Sequence, residues 1–148
     1  MKTILLLTFL CISTPLLSQK NTIYIIHQPT DMALGLRYDR QISDYGFYLS
    51  ASKGTYRFDN ITCEHIDNIT CEHIKIVGGI VNYKSDEPVT RLFSAGISYN
   101  IYGALIPEKV SFPVSFDLGC GCRINRFNAG FCMDFIKWEG TINFGYSF

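Results

Sequence analysis

The chain has 148 residues, enough for one domain, and a formal net charge of zero. Apolar residues make up 47% and charged residues only 18%, where a soluble domain carries about 25% charged. The balanced charge gives no reason to expect a nucleic-acid partner, and no uninterrupted apolar run beyond the N-terminus is long enough for a transmembrane helix.

Met1 and Lys2 open the chain with a positive charge, and Thr3 to Leu17 then carries no charge and is dominated by Ile, Leu and Phe until Pro15. This pattern predicts a secretory signal peptide over residues 1–18, with cleavage after Ser18 and a mature domain over residues 19–148. Leu10 before Cys11 is too large for a lipoprotein-type site. Without Cys11, five cysteines belong to the mature chain (Cys63, Cys71, Cys120, Cys122 and Cys132), an odd number that argues against a closed disulfide framework. Cys120 and Cys122 flank one glycine and are expected to fill apolar positions.

Residues 19–29 read as a short leader stopped by Pro29. Alternation then begins, because successive side chains of a strand point to opposite faces. Met32, Leu34, Leu36 and Tyr38 form the apolar face of a first strand, with Arg37 and Asp39 on the other. After a polar turn at 39–44, Tyr45, Phe47, Leu49 and Ala51 mark a second. Lys53 and Gly54 signal a tight turn, and Tyr56 and Phe58 mark a short third strand. Asp59–Ile66 (DNITCEHI) is then repeated without change as Asp67–Ile74. Two copies cannot build a solenoid, so the duplication is assigned to a loop and its strand borders, where insertions cost little.

The fourth strand has Ile74, Ile76, Gly78 and Ile80 against Lys75, Val77, Gly79, Val81 and Tyr83, and both faces are apolar enough to leave its orientation open. A turn over 84–89 precedes a long fifth strand, Arg91 to Ile101. A loop over 103–109 precedes the sixth, from Val110 to Cys122, in which Pro113 suits a strand end or a bulge. Asn125 and Arg126 form the next turn, and the seventh strand runs from Phe127 to Asp134. In the last stretch, Trp138, Gly140, Ile142, Phe144, Tyr146 and Phe148 share one face, and Glu139, Thr141, Asn143, Gly145 and Ser147 the other. Trp138 suits a membrane-interface anchor.

These eight alternating strands predict an all-β, antiparallel, up-and-down barrel that crosses a membrane with its apolar face outward. A lipocalin-like secreted barrel, binding a small apolar ligand inside, also alternates. Its outer face should be rich in Lys and Glu, whereas the polar face here is mostly Gly, Ser, Thr and Asn with a few charges of both signs: Arg37, Arg57, Lys75, Asp117, Asp134 and Glu139. Such a set suits a narrow interior in which ions must be paired, and the three acids are expected to pair with arginines.

The final strand resembles the C-terminal sorting strand of small bacterial outer-membrane barrels: a final Phe148, Tyr146 two residues earlier, and Phe144, Ile142 and Gly140 at alternate positions before them. The resemblance implies a Gram-negative source, contact with outer-membrane lipid, and recognition of Gly140, Ile142, Phe144, Tyr146 and Phe148 by the barrel-assembly machinery. It does not imply one activity, because such folds host many roles; the surface partner is unspecified.

Sites of chemistry are sparse. Cys63, Glu64 and His65 with Cys71, Glu72 and His73 could supply zinc ligands, but the spacing matches no usual pattern and one duplication accounts for both halves, so no metal or other cofactor is expected. Asn60 and Asn68 each begin an Asn-Ile-Thr glycosylation acceptor, which matters only in a eukaryotic secretory pathway. No nucleophile–base spacing involves His27, His65 or His73, and no carboxylate pair suggests a glycosidase. A lipid-modifying enzyme would need catalytic groups near the outer rim, where none stands out. A conducting pore is not expected, because eight strands enclose only their own side chains. The expected role is structural or a surface interaction, without catalysis.

Overall fold

A computed structural model of the chain describes residues 20–30, 32–58, 69–86, 88–102 and 113–148. Every regular element among them is a strand: β1 (Asn21–Gln28), β2 (Ala33–Gln41), β3 (Tyr45–Phe58), β4 (Ile69–Asp86), β5 (Val89–Tyr102), β6 (Val114–Ile124), β7 (Phe127–Asp134) and β8 (Glu139–Ser147). Each pairs antiparallel with its chain neighbours, and β1 pairs with β8 to close the barrel. Closure leaves no strand row of the barrel body with unpaired backbone groups, which an apolar solvent would not tolerate.

Two sequence expectations are corrected here, and they compensate. Residues 19–29 are not a leader, because Asn21–Gln28 is the strand that zips the barrel shut, with Ile25 opposite Leu36 on β2 and Phe144 on β8. Lys53 and Gly54 are not a turn, because β3 runs straight through them, Lys53 opposite Ile74 and Gly54 opposite His73. One strand was missed and one was split, so the count of eight survives. The second repeat copy contributes Ile69–Ile74 to β4, and the first copy lies outside the described residues, as does the predicted 103–109 loop. Pro113 stands just before β6, where it costs no ladder hydrogen bond.

The barrel has two unlike ends. The start of β1 and the finish of β8 share one end with the short connections at Ile42–Asp44, at 87–88 and at Asn125–Arg126. Asn125 adopts φ 57°, a conformation asparagine tolerates in a tight hairpin turn. We call this the terminal end. The opposite, loop end holds the connections after β1, β3, β5 and β7. There β2 last pairs with β3 at Leu34 and Lys53, whereas β3 and β4 stay paired to Phe58 and Ile69. The β3–β4 hairpin therefore projects roughly 15 Å along the strand, at about 3.3 Å per residue.

Candidate membrane surface and polar lumen

Alternation sorts the strands into two solvents. Outward positions carry Ile25 and Leu36 on β1 and β2, Leu49 and Ile80 on β3 and β4, Ile97 on β5, Phe116 on β6, Phe131 on β7 and Phe144 on β8, all exposed. Ile97, in the middle of this surface, is 57% exposed, far from what a large apolar side chain accepts in water when every neighbour is also apolar. From Phe93 to Ile101 the outward side chains of β5 are uninterrupted by any charge. That span is about 20 Å tall, taking ~3.3 Å per residue and a tilt near 40°, close to the roughly 25 Å apolar band of membrane barrels. The orientation left open for β4 is settled: Ile74, Ile76 and Ile80 face out, and Lys75, Val77, Val81 and Tyr83 face in.

The lumen is largely polar, with an apolar patch of Tyr48, Val77, Val81, Tyr83 and Leu92, and its polar groups lie in three layers. At the terminal end Arg123 donates from Nε to Asn128 Oδ1 (2.9 Å) and from Nη1 to Gln41 Oε1 (2.8 Å). Asn128 Nδ2 donates to Ser147 Oγ, which also meets Thr22 Oγ1, both at 2.8 Å. In the middle Arg37 forks onto Asp39, 2.6 Å from Nε to Oδ1 and 3.0 Å from Nη2 to Oδ2, with both residues buried. Its guanidinium stacks 3.9 Å from the centroid of Tyr48 and lies 5.3 Å from that of Tyr24. This stack needs bare walls. A Cβ at Gly96 would collide with the Tyr48 hydroxyl, and one at Gly145 would sit 2.7 Å from Tyr24 Cγ. Cys132 Sγ accepts from Asn143 Nδ2 at 3.2 Å and from Arg37 Nη1 at 3.5 Å.

Near the loop end Lys75 Nζ reaches from β4 to two carboxylates, Asp117 Oδ1 (2.9 Å) and Asp134 Oδ2 (2.8 Å). These acids are direct partners in the β6–β7 register, a placement that like charges oppose unless a cation joins them. Asp134 also accepts from the Ser115 hydroxyl and from the backbone N–H groups of Ile136 and Lys137. Gln28 Nε2 donates to Glu139 Oε2 at 2.7 Å. The expectation that the acids pair with arginines is thus corrected for Asp117 and Asp134, whose cation is Lys75. Lysine has the unbranched reach to sit between two strands' carboxylates with three donors.

Among the described residues, cavities of about 20 Å³ lie in the lumen, with room for roughly one water apiece. One is lined by Arg37, Tyr48, Lys75 and Asp117, the other by Tyr24, Cys132 and Asn143. The arrangement holds buried charge in place and, among the described residues, leaves no wide channel.

The expected assembly residues lie on the outer face of β8, with Phe148 just past its end. Phe144, Tyr146 and Phe148 are well exposed, Ile142 and Gly140 less so. Phe127 packs edge-on to Tyr146, ring centroids 5.7 Å apart. Trp138, in the β7–β8 turn at φ 57°, is 70% exposed. In the repeat, Glu72 points out to an exposed ion pair with Lys53 (2.8 Å) while His73 is buried in the lumen, so these neighbours face opposite sides of the wall. Cys63, Glu64 and His65 lie outside the described residues, and among the described ones no group of His, Cys, Asp and Glu is gathered to hold a metal. Cys120, Cys122 and Cys132 are free thiols; the first two face outward as apolar fillers.

Sequence reasoning missed the Tyr24–Arg37–Tyr48 stack, because Tyr24 belongs to the strand taken for a leader. The signal there is weak, because the inward face (Thr22, Tyr24, Ile26 and Gln28) is nearly as apolar as the outward one (Ile23, Ile25 and His27).

No protein-family model matches the chain, and no curated protein matches it in sequence. Among solved structures it is similar to the crystal structure of Ail, the attachment invasion locus protein of Yersinia pestis, in complex with the heparin analogue sucrose octasulfate. The sequence identity is 18%, the TM-score 0.48, and the match covers 88% of this chain and 98% of that one.

Proposed function

We propose that this chain is an outer-membrane barrel with a structural or surface-interaction role and no catalytic activity. One observation carries the membrane reading: the wall is apolar outside and charged inside, the reverse of a protein folded in water. A secreted barrel that binds an apolar ligand needs the opposite wall. The projecting β3–β4 hairpin supports the surface role, since beyond Lys53 the β2 side of β3 has no strand partner among the described residues, and an open strand row offers backbone hydrogen bonds to an extended segment.

The test is gel mobility in SDS of protein refolded into detergent, with and without boiling. A heat-dependent shift together with sheet-type circular dichroism is the expected result. No shift, with good solubility in plain buffer, would refute the membrane assignment. In the same proposal residues 1–18 are removed after export, and β8 is read by the assembly machinery through Gly140, Ile142, Phe144, Tyr146 and Phe148. Tyr146→Lys should then stop assembly in cells, and normal assembly of that variant would remove the recognition role.

A further inference from the structure

We infer that the terminal rim of the barrel is an interaction surface for the phosphate headgroups of anionic phospholipid, of the phosphatidylglycerol class. The inference rests on the membrane reading above. Four cations face outward around this rim: Arg40 at the end of β2, Lys84 near the end of β4, Arg91 near the start of β5 and Arg126 in the β6–β7 turn. Each stands where an outward apolar row stops. Arg40 follows Leu36 and Tyr38, Lys84 lies beyond Ile80, Arg91 precedes Phe93, and Arg126 precedes Phe127. Their aliphatic stems can lie along apolar surface while the charged heads reach the polar boundary. Headgroup phosphates occupy that depth.

The arrangement is specific in two places. Lys84 and Arg91 are direct partners across the β4–β5 ladder and point the same way, so one phosphate can contact both. Arg126 Nη1 donates to the Tyr146 hydroxyl at 3.1 Å, which fixes a guanidinium beside an interfacial tyrosine and leaves its other N–H groups to meet phosphate oxygens. Among the described residues outside the lumen, cations also outnumber acids at this end: Lys20, Arg40, Lys84, Arg91 and Arg126 against Asp44 and Asp86. The loop end differs. Among the described residues, its exposed pair Lys53 and Glu72 neutralise each other, and Met32, Ile136 and Trp138 there are apolar and exposed.

The test uses mature protein refolded into vesicles of phosphatidylcholine alone, and of phosphatidylcholine with phosphatidylglycerol. The readouts are heat-dependent gel shift and the urea midpoint. Phosphatidylglycerol should raise the midpoint of the unmodified barrel, and added salt should shrink that gain. In the variant carrying Lys84→Gln, Arg91→Gln and Arg126→Gln the gain should fall by roughly half or more, while Lys53→Gln keeps it. An undiminished gain in the triple variant, or an equal fall with Lys53→Gln, would overturn the inference and leave the membrane reading standing. Absence of a gel shift in both vesicles overturns both. Should the triple variant not refold, Arg126→Gln alone, in an exposed turn, must show a reduced gain, and an unchanged one overturns the proposal.

Discussion

Lys75 and Ile76 are neighbours in one strand and live in different solvents. Lys75 is 3% exposed and held by two carboxylates, and Ile76 is 40% exposed on the outer wall between Ala51 and Tyr99. The contrast repeats along most strands, so the wall separates a largely polar lumen from an apolar surround. It teaches that burial and hydrophobicity, which coincide in a soluble domain, are uncoupled here. Charge is stabilising where the side chain is enclosed and damaging where it is exposed. Substitutions on the two faces should therefore fail for opposite reasons.

The largest effect is expected in the lumen. Lys75→Met removes the cation between Asp117 and Asp134 and leaves two facing acids enclosed. Breaking such a buried pair costs about 3–5 kcal/mol, read as a fall in the urea midpoint of the refolded barrel. Adding Asp117→Asn and Asp134→Asn to that variant should recover most of the loss, because the uncompensated charge is then gone. A cost below about 1 kcal/mol for Lys75→Met would place water freely around these carboxylates and erase the contrast at this layer.

On the outer wall, Ile97→Lys puts a cation in the middle of the apolar surface. At the centre of a bilayer this costs roughly 2–4 kcal/mol, again read from the urea midpoint in lipid vesicles. In water the same change at a 57% exposed position would be close to neutral. The measurement thus tells the solvent outside the wall, and a neutral result breaks the comparison from its other side.

The period-two pattern made most of this legible in the sequence. It placed β2, β5, β7 and β8 and their outward faces, because there one face is nearly all apolar and the other small or polar. It failed where the lumen itself is apolar. Tyr24 and Ile26 point inward between Ile23, Ile25 and His27, so β1 shows two similar faces and looks irregular. The split of β3 had a different cause. Lys53 and Gly54 carry a local turn preference that the pairing of this stretch with both β2 and β4 overrides. The acids Asp117, Asp134 and Glu139 were identified as interior, but their partners depend on register and on the reach of a side chain from a distant strand. Nothing in the local sequence says that Lys75 meets both aspartates while Arg37 turns to Asp39.

The smallest effect expected is at Lys53, and it isolates burial from pairing. Lys53 and Glu72 stand 2.8 Å apart, the same separation as Lys75 and Asp134. Both pairs join a lysine to a carboxylate across strands. They differ in surroundings, since the side chains of the first are 60% and 67% exposed and those of the second 3% and 0%. An exposed pair gains little over its separately solvated ions and is screened by salt, so Lys53→Gln should cost about 0–1 kcal/mol. The cost should vanish at high ionic strength, whereas that of Lys75→Met should persist. If Lys53→Gln instead cost as much as Lys75→Met, the rim at Lys53 would lie within the apolar band, and the membrane boundary at the loop end would have to move outward past Glu72.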